Sequence, residues 1–312
     1  MTGTVRDAGP LARYGAGLTQ RIGADAAVMS DIVVPGRVES LVRAHTGAGP
    51  LTWSFPAQGM SGASCAVGSC ASVSLFAKWV AHDAAWGDDG DLALEAANLA
   101  RLTQVPGVAR LVAYDAGVLL TRAVVPDPSA SWDSAMLASA ATTLRALAAV
   151  DGAGLPRVQD RSTFEDRGPG APAQMLRAAG GDRRFADFLL ASHDGVRTWV
   201  GPSPATCHGD LLASNWVLTR RGPVLVDLLH LSRGPAGFDA AFFAAFVDRS
   251  VSSRLAWLDS LGVPALVAST VVGCAAAMMA DGLTSDDQLW RDWAAPQWPP
   301  VRDLAWALHQ RG

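Results

Sequence analysis

Apolar and polar positions change their period near the middle of this 312-residue chain. Up to about residue 125 the apolar runs are short and extended; beyond it they recur at helical spacing. Residues 37–46 read as a short helix and Leu51–Phe55 as a strand. The stretch from Pro56 to Cys65 is rich in small residues, as a tight loop should be. Ser72–Val80 reads as a strand with Lys78 near its end. In Asp91–Gln104, Leu92, Glu95 and Leu99 recur at helical intervals, and Asp91 suits a helix start. Arg110–Tyr114 and Val118–Val125 follow as two strands joined by Asp115-Ala116-Gly117. The predicted order is strand, loop, strand, helix, strand, strand.

After Pro126 the pattern is helical. Ser131–Ala149 is predicted as an amphipathic helix capped by Ser131, and Arg167–Pro172 as a surface loop. Gln174–Ser192, Ser250–Leu261 and Ala265–Asp281 read as further helices. The apolar run Val263–Ala280 carries Ser269 and Thr270, and a buried helix is the better reading of it. A membrane span needs roughly 18 or more apolar residues, and no uninterrupted stretch of that length exists, so none is expected. The N-terminal residues lack the apolar core of a secretory signal, and a cytoplasmic location is expected. Trp290, Trp293, Trp298 and Trp306 read first as packing between helices, and second as a wall for a substrate. A small β-rich lobe, residues 1–125, is thus expected before a larger helical lobe, residues 126–312.

Composition narrows the partners. A net charge of −4 and a pI near 5.8 give no basic footprint for nucleic acid. The four cysteines, at 65, 70, 207 and 274, are too few for a disulfide framework; Cys65 and Cys70 either form a local bridge or remain thiols, the second being preferred. The 25 basic residues comprise 24 Arg and one Lys, Lys78, while Glu occurs only at 39, 95 and 165 and Asn only at 98 and 215. Where Arg has replaced Lys everywhere else, a lone Lys marks a place for a compact point charge that a planar fork cannot fill.

The strongest local signal is Cys207-His208-Gly209-Asp210, followed at a fixed interval by Asn215 and then by an apolar strand ending in Asp227. A carboxylate and an amide share one tight loop, and a second carboxylate follows on the return strand of a hairpin turning at Arg220–Gly222. Three oxygen-bearing side chains converge there, the donor type that Mg²⁺ favours together with phosphate. Cys207 beside His208 is no thiol–imidazole dyad, because adjacent residues on an extended chain point apart.

This segment resembles the catalytic loop of the aminoglycoside phosphotransferase and choline kinase families, which share the protein-kinase-like fold. The resemblance implies an α+β, two-lobe molecule that uses ATP (GTP remains open as donor) and Mg²⁺ to phosphorylate a hydroxyl of a small molecule. It implies that Asp210 orients that hydroxyl and accepts its proton, that Asn215 and Asp227 hold the metal, and that His208 supports the loop. Lys78 and Glu95 would be the pair that grips the nucleotide phosphates, and Ser61, Gly62 and Ser64 would belong to a loop covering them. The adenine would meet a hinge near Leu120–Val125, and Asp239 in Gly234–Asp239 would be structural. Leu212 and Leu228 depart from the family pattern, as does the glycine loop, and they leave the acceptor open. The readings for that acceptor are an antibiotic, in a self-resistance kinase, or a metabolic or biosynthetic intermediate. A non-catalytic pseudokinase is a third reading, against which the intact Lys78, Asp210, Asn215 and Asp227 argue.

Overall fold

Alternation along β3 (Val73–Trp79) gives the strand two faces. Leu75, Ala77 and Trp79 are buried beneath Val38 and Val42 of helix α1 (Gly36–Thr46), while Phe76 and Lys78 take the other face. The computed structural model describes residues 33–47, 49–55, 63–80, 89–160, 170–199, 201 and 205–311. Within them β1 (Thr52–Ser54), β2 (Ser64–Cys70), β3, β5 (Val118–Arg122) and β4 (Leu111–Asp115) form one antiparallel sheet, in the order β1-β2-β3-β5-β4. Helix α2 (Asp89–Arg101) joins β3 to β4 and adds Leu92, Ala96 and Leu99 to the larger core.

The second half is helical: α3 (Ser134–Ala148), α4 (Ala171–Ala178), α5 (Arg183–Arg197), α6 (Phe238–Phe246), α7 (Val251–Ser260), α8 (Ala265–Thr284) and α9 (Gln288–His309). Two short antiparallel pairs interrupt it: the hairpin β7 (Trp216–Thr219) with β8 (Gly222–Leu225), and, flanking it in the chain, β6 (Ala205–Cys207) with β9 (Ser232–Gly234). The molecule is α+β with the two lobes of the protein-kinase-like fold. Helix α8 is long and apolar enough to cross a membrane, yet 78% of its most apolar window is buried among the surrounding elements. It is the central helix of the large lobe, packed on α5, α6 and α9.

Three local expectations need correction. Strand β2 was not foreseen, since Ser64–Cys70 is made of small residues and contains Gly68. Tertiary packing demands that glycine: a Cβ there would come within 2.8 Å of the Trp53 ring. The single helix predicted over Gln174–Ser192 is two, broken at Gly180 and Gly181, both at positive φ, and restarted by Asp182, which accepts the Phe185 N–H at 3.0 Å. The cap of α3 is Asp133, which accepts from Met136 at 2.8 Å, and not Ser131. The Cys65–Cys70 bridge is not formed; all four cysteines are buried thiols. Of the C-terminal tryptophans, Trp290 and Trp298 are buried and Trp290 stacks on Trp293, which is core packing; Trp306 remains partly exposed against Phe185.

One connection between the lobes matters below. Leu225, two residues before Asp227, donates its N–H to Gly107 O at 2.7 Å and accepts from Ala109 N at 2.9 Å. The small lobe thereby holds the strand that leads to Asp227 on both sides of one residue. Farther out, Asp127 N donates to Leu218 O at 2.8 Å, which fastens the chain just beyond the interlobe segment to β7.

Candidate active site

Lys78 sits in the middle of the sheet, paired with Cys65 on β2 and Leu119 on β5. Strand alternation turns it toward α2, and the residue is only 8% exposed. Burying an ammonium is costly unless it is paired, and two carboxylates pair it. Nζ lies 2.8 Å from Glu95 Oε2 and 3.0 Å from Asp227 Oδ1. Three residues 149 positions apart at the extreme thus meet at one nitrogen.

The electrostatics follow from that sharing. Burial would pull the Lys78 pKa down, but the Asp227 and Glu95 carboxylates outweigh it and hold the ammonium above its ordinary value. Asp227 is held below the usual aspartate value: burial opposes this, and the Lys78 charge, helped by His208 and His230, prevails. Glu95 lies deeper, and burial, together with the nearby Asp227 charge, pushes its pKa up against the pull of Lys78. Asp227 is the more open of the two carboxylates: its side chain keeps 39% of its surface exposed, against 6% for Glu95. Its backbone is left-handed, at φ 60° and ψ 62°, a conformation costly for a side-chain-bearing residue.

The loop before it is held by backbone contacts. The Asp239 carboxylate, at the start of α6, accepts the N–H groups of His208 at 2.6 Å and Gly209 at 3.2 Å. A carboxylate in the first turn of a helix is also favoured by the helix dipole. His208 is fully buried; its Nδ1 accepts from Asp210 N at 3.4 Å, so Nε2 carries the proton and donates to Val226 O at 3.1 Å. Gly209 at φ 82° lets the chain reverse between them. Asn215 Nδ2 donates to Asp210 O at 2.7 Å, which turns the amide oxygen to the opposite side. Val226 N donates to Asn215 O at 3.0 Å, so the Asp210–Asn215 loop and the Asp227 strand are joined through His208 and Asn215.

The structure therefore brings Lys78, Glu95 and Asp227 into direct contact, and it links Asp210 and Asn215 to them through one shell of hydrogen bonds. Ser64 opens β2 one residue from the partner of Lys78, while Ser61 and Gly62 lie outside the described residues. Sequence reasoning passed over Asn98. This buried residue on α2 donates its amide to Leu228 O at 2.8 Å and Leu229 O at 3.3 Å. Its rarity, one of two asparagines, was the available signal.

Among the described residues no group of three or more His, Cys, Asp and Glu stands together as a metal cage. One carboxylate and one amide oxygen suit a hard cation that brings most of its shell with it, as Mg²⁺ does on phosphates. A buried ammonium beside an open carboxylate, at the seam between a small sheet lobe and a helical lobe, is the arrangement expected of a kinase-like phosphotransferase. The family comparison agrees: the model described as "Phosphotransferase enzyme family" matches residues 80–268, more than half of the chain, and the chain belongs to that family. Solved structures with the same fold include a spectinomycin phosphotransferase, APH(9)-Ia, in complex with ADP and spectinomycin (13% identity, 90% of this chain and 100% of that one, TM-score 0.61). Others are the macrolide 2′-phosphotransferase MphH from Brachybacterium faecium (17%, 85% and 99%, TM-score 0.55) and the choline kinase LicA from Streptococcus pneumoniae (12%, 87% and 100%, TM-score 0.54). No curated protein sequence matches the chain.

Proposed function

We propose that the chain moves the γ-phosphoryl group of ATP directly to a hydroxyl of a small molecule, with Asp210 as the residue that aims the hydroxyl. The observation that carries this is the Lys78 ammonium bridging Glu95 and Asp227 at 2.8 and 3.0 Å. An ammonium held on one side by a buried carboxylate presents its remaining charge to phosphate oxygens. Asp227 and Asn215 supply the oxygen donors for a divalent cation, which when bound would neutralise charge on the phosphates. Asp210 takes the hydroxyl proton as the acceptor oxygen bonds to the γ-phosphorus and the bond to the β-phosphate oxygen breaks, releasing ADP. Because the transition state is loose, the protein contributes chiefly position and charge, and the backbone-held loop at 208–215 serves the first. Nucleotide binding is assigned to residues up to 125 and acceptor binding to the helical half from 126, in a cytoplasmic enzyme. Among acceptors, an antibiotic is favoured, since two of the compared structures are described as a spectinomycin phosphotransferase and a macrolide 2′-phosphotransferase; a metabolic or biosynthetic alcohol is the second reading. A panel of aminocyclitol, macrolide, amino-alcohol and sugar hydroxyls, assayed for ADP release and for the mass gain of one phosphate, tests the reading. Absence of nucleotide-dependent transfer to every class, together with absence of Mg²⁺-linked nucleotide binding, would overturn it.

A further inference from the structure

Helix α2 approaches Asp227 with two side chains, three residues apart and so on neighbouring positions of one face. The Glu95 carboxylate accepts the Leu228 N–H as well as the Lys78 ammonium. Asn98, 3% exposed, donates to the Leu228 carbonyl at 2.8 Å and, more weakly, to that of Leu229. The two contacts act on different peptide planes. The Leu228 N–H belongs to the peptide that fixes ψ of Asp227; the Leu228 C=O belongs to the next one. Gripping both from one rigid helix specifies how the chain leaves Asp227, and Asp227 is the described non-glycine residue with the largest positive φ, at 60°.

The short 3-10 turn after Asp227 does not itself require Asn98. Leu231 N already donates to Leu228 O at 3.3 Å, and the carbonyl's second lone pair receives the amide. An apolar residue would fill this buried helix position without the desolvation cost of an amide, so the amide's placement needs a reason beyond packing.

We propose that Asn98 is a positioning residue: with Glu95 it pins both backbone groups of Leu228, and it thereby holds the left-handed turn that presents the Asp227 carboxylate to a nucleotide-bound divalent cation. This rests on the proposed nucleotide site. It makes α2 a coupling element, in which loss of the Asn98 contact uncouples the cation-binding carboxylate from the lysine that the same helix orients.

The test is calorimetric titration of the full chain with ADP, with and without Mg²⁺, reading the gain in affinity that Mg²⁺ confers. Asn98→Ala is expected to lower that gain by about tenfold to a hundredfold, the usual effect of removing a group that orients a metal ligand, with metal-free ADP affinity little changed. Asn98→Ser, which keeps a shorter donor, is expected to fall between Ala and wild type. Leu99→Ala removes a buried side chain from the same helix, so it reports on α2 stability alone; it should lower the melting temperature and leave the Mg²⁺-linked gain intact. An unchanged gain in both Asn98 variants, or an equal loss in Leu99→Ala, would overturn the role of Asn98 while leaving the nucleotide site standing. A wild-type protein whose ADP affinity does not respond to Mg²⁺ would overturn the site reading and this inference with it.

Discussion

Around His208–Asn215 the side chains of the proposed site are held by the backbone, whereas around Lys78 they are held by one another. In the loop, Asp239 takes two consecutive N–H groups, His208 joins Asp210 N to Val226 O, and Asn215 closes on Asp210 O. These are neutral or singly charged hydrogen bonds, each with a backbone group as one partner. At Lys78 three charges from a strand, a helix and a distant turn share one point. The difference teaches that the two parts fail differently. In the loop, each lost side chain removes only its own hydrogen bonds to the backbone; in a buried ionic cluster, removing one member leaves the others desolvated and uncompensated.

The sharpest break of this comparison is Asp210→Ala. It should lower phosphoryl transfer about 10²–10⁴-fold, measured by ADP release, while ADP binding by calorimetry stays near wild type. Next is Lys78→Met, which strands Glu95 and Asp227 beside each other. An unfolding free energy about 3 kcal/mol lower, read from denaturant titration, is expected, together with loss of nucleotide binding. Asp239→Ala tests the backbone-held side. It leaves two buried N–H groups without their acceptor and should cost about 2 kcal/mol, with Asp239→Asn losing less. A larger cost for Asp239→Ala than for Lys78→Met would reverse the ranking argued here.

The smallest effect separates the two carboxylates by pH. Because Asp227 titrates below its ordinary value in the fold, its stabilisation is complete above that ordinary value, near 4, and is lost as pH falls through the lower folded value. Glu95 titrates above its ordinary value, so its charged form weakens the fold as pH rises through that raised value, and acid relieves it. The stability gap between wild type and Asp227→Asn should therefore shrink in acid, and that between wild type and Glu95→Gln should move the opposite way. Parallel pH profiles for the two variants would show that the lysine does not divide its partners as the geometry says.

Legibility followed the same division. The loop could be read because His208, Asp210, Asn215 and Asp227 lie close in the chain at fixed spacing, and fixed spacing survives folding. Lys78 and Glu95 could be read only because a chain so poor in Lys and Glu makes each conspicuous. Asn98 was equally rare yet unread, since its partners are backbone carbonyls, which leave no mark in a sequence. Strand β2 was hidden for a related reason. Gly68 looks like a loop residue until Trp53 is seen to occupy the space a side chain would need. Gly180 and Gly181 were overlooked because the apolar period continues on both sides of the break.

The double hydrogen bond of Leu225 to Gly107 and Ala109 has a mechanical consequence. It ties the two lobes together two residues from Asp227, which is where a pivot would sit in any relative motion of the lobes. If the lobes swing apart, the lever arm from that point to Asp227 is two residues, while the arm to the outer rim spans the whole sheet. Such a motion would then leave the spacing between Lys78 and Asp227 nearly constant.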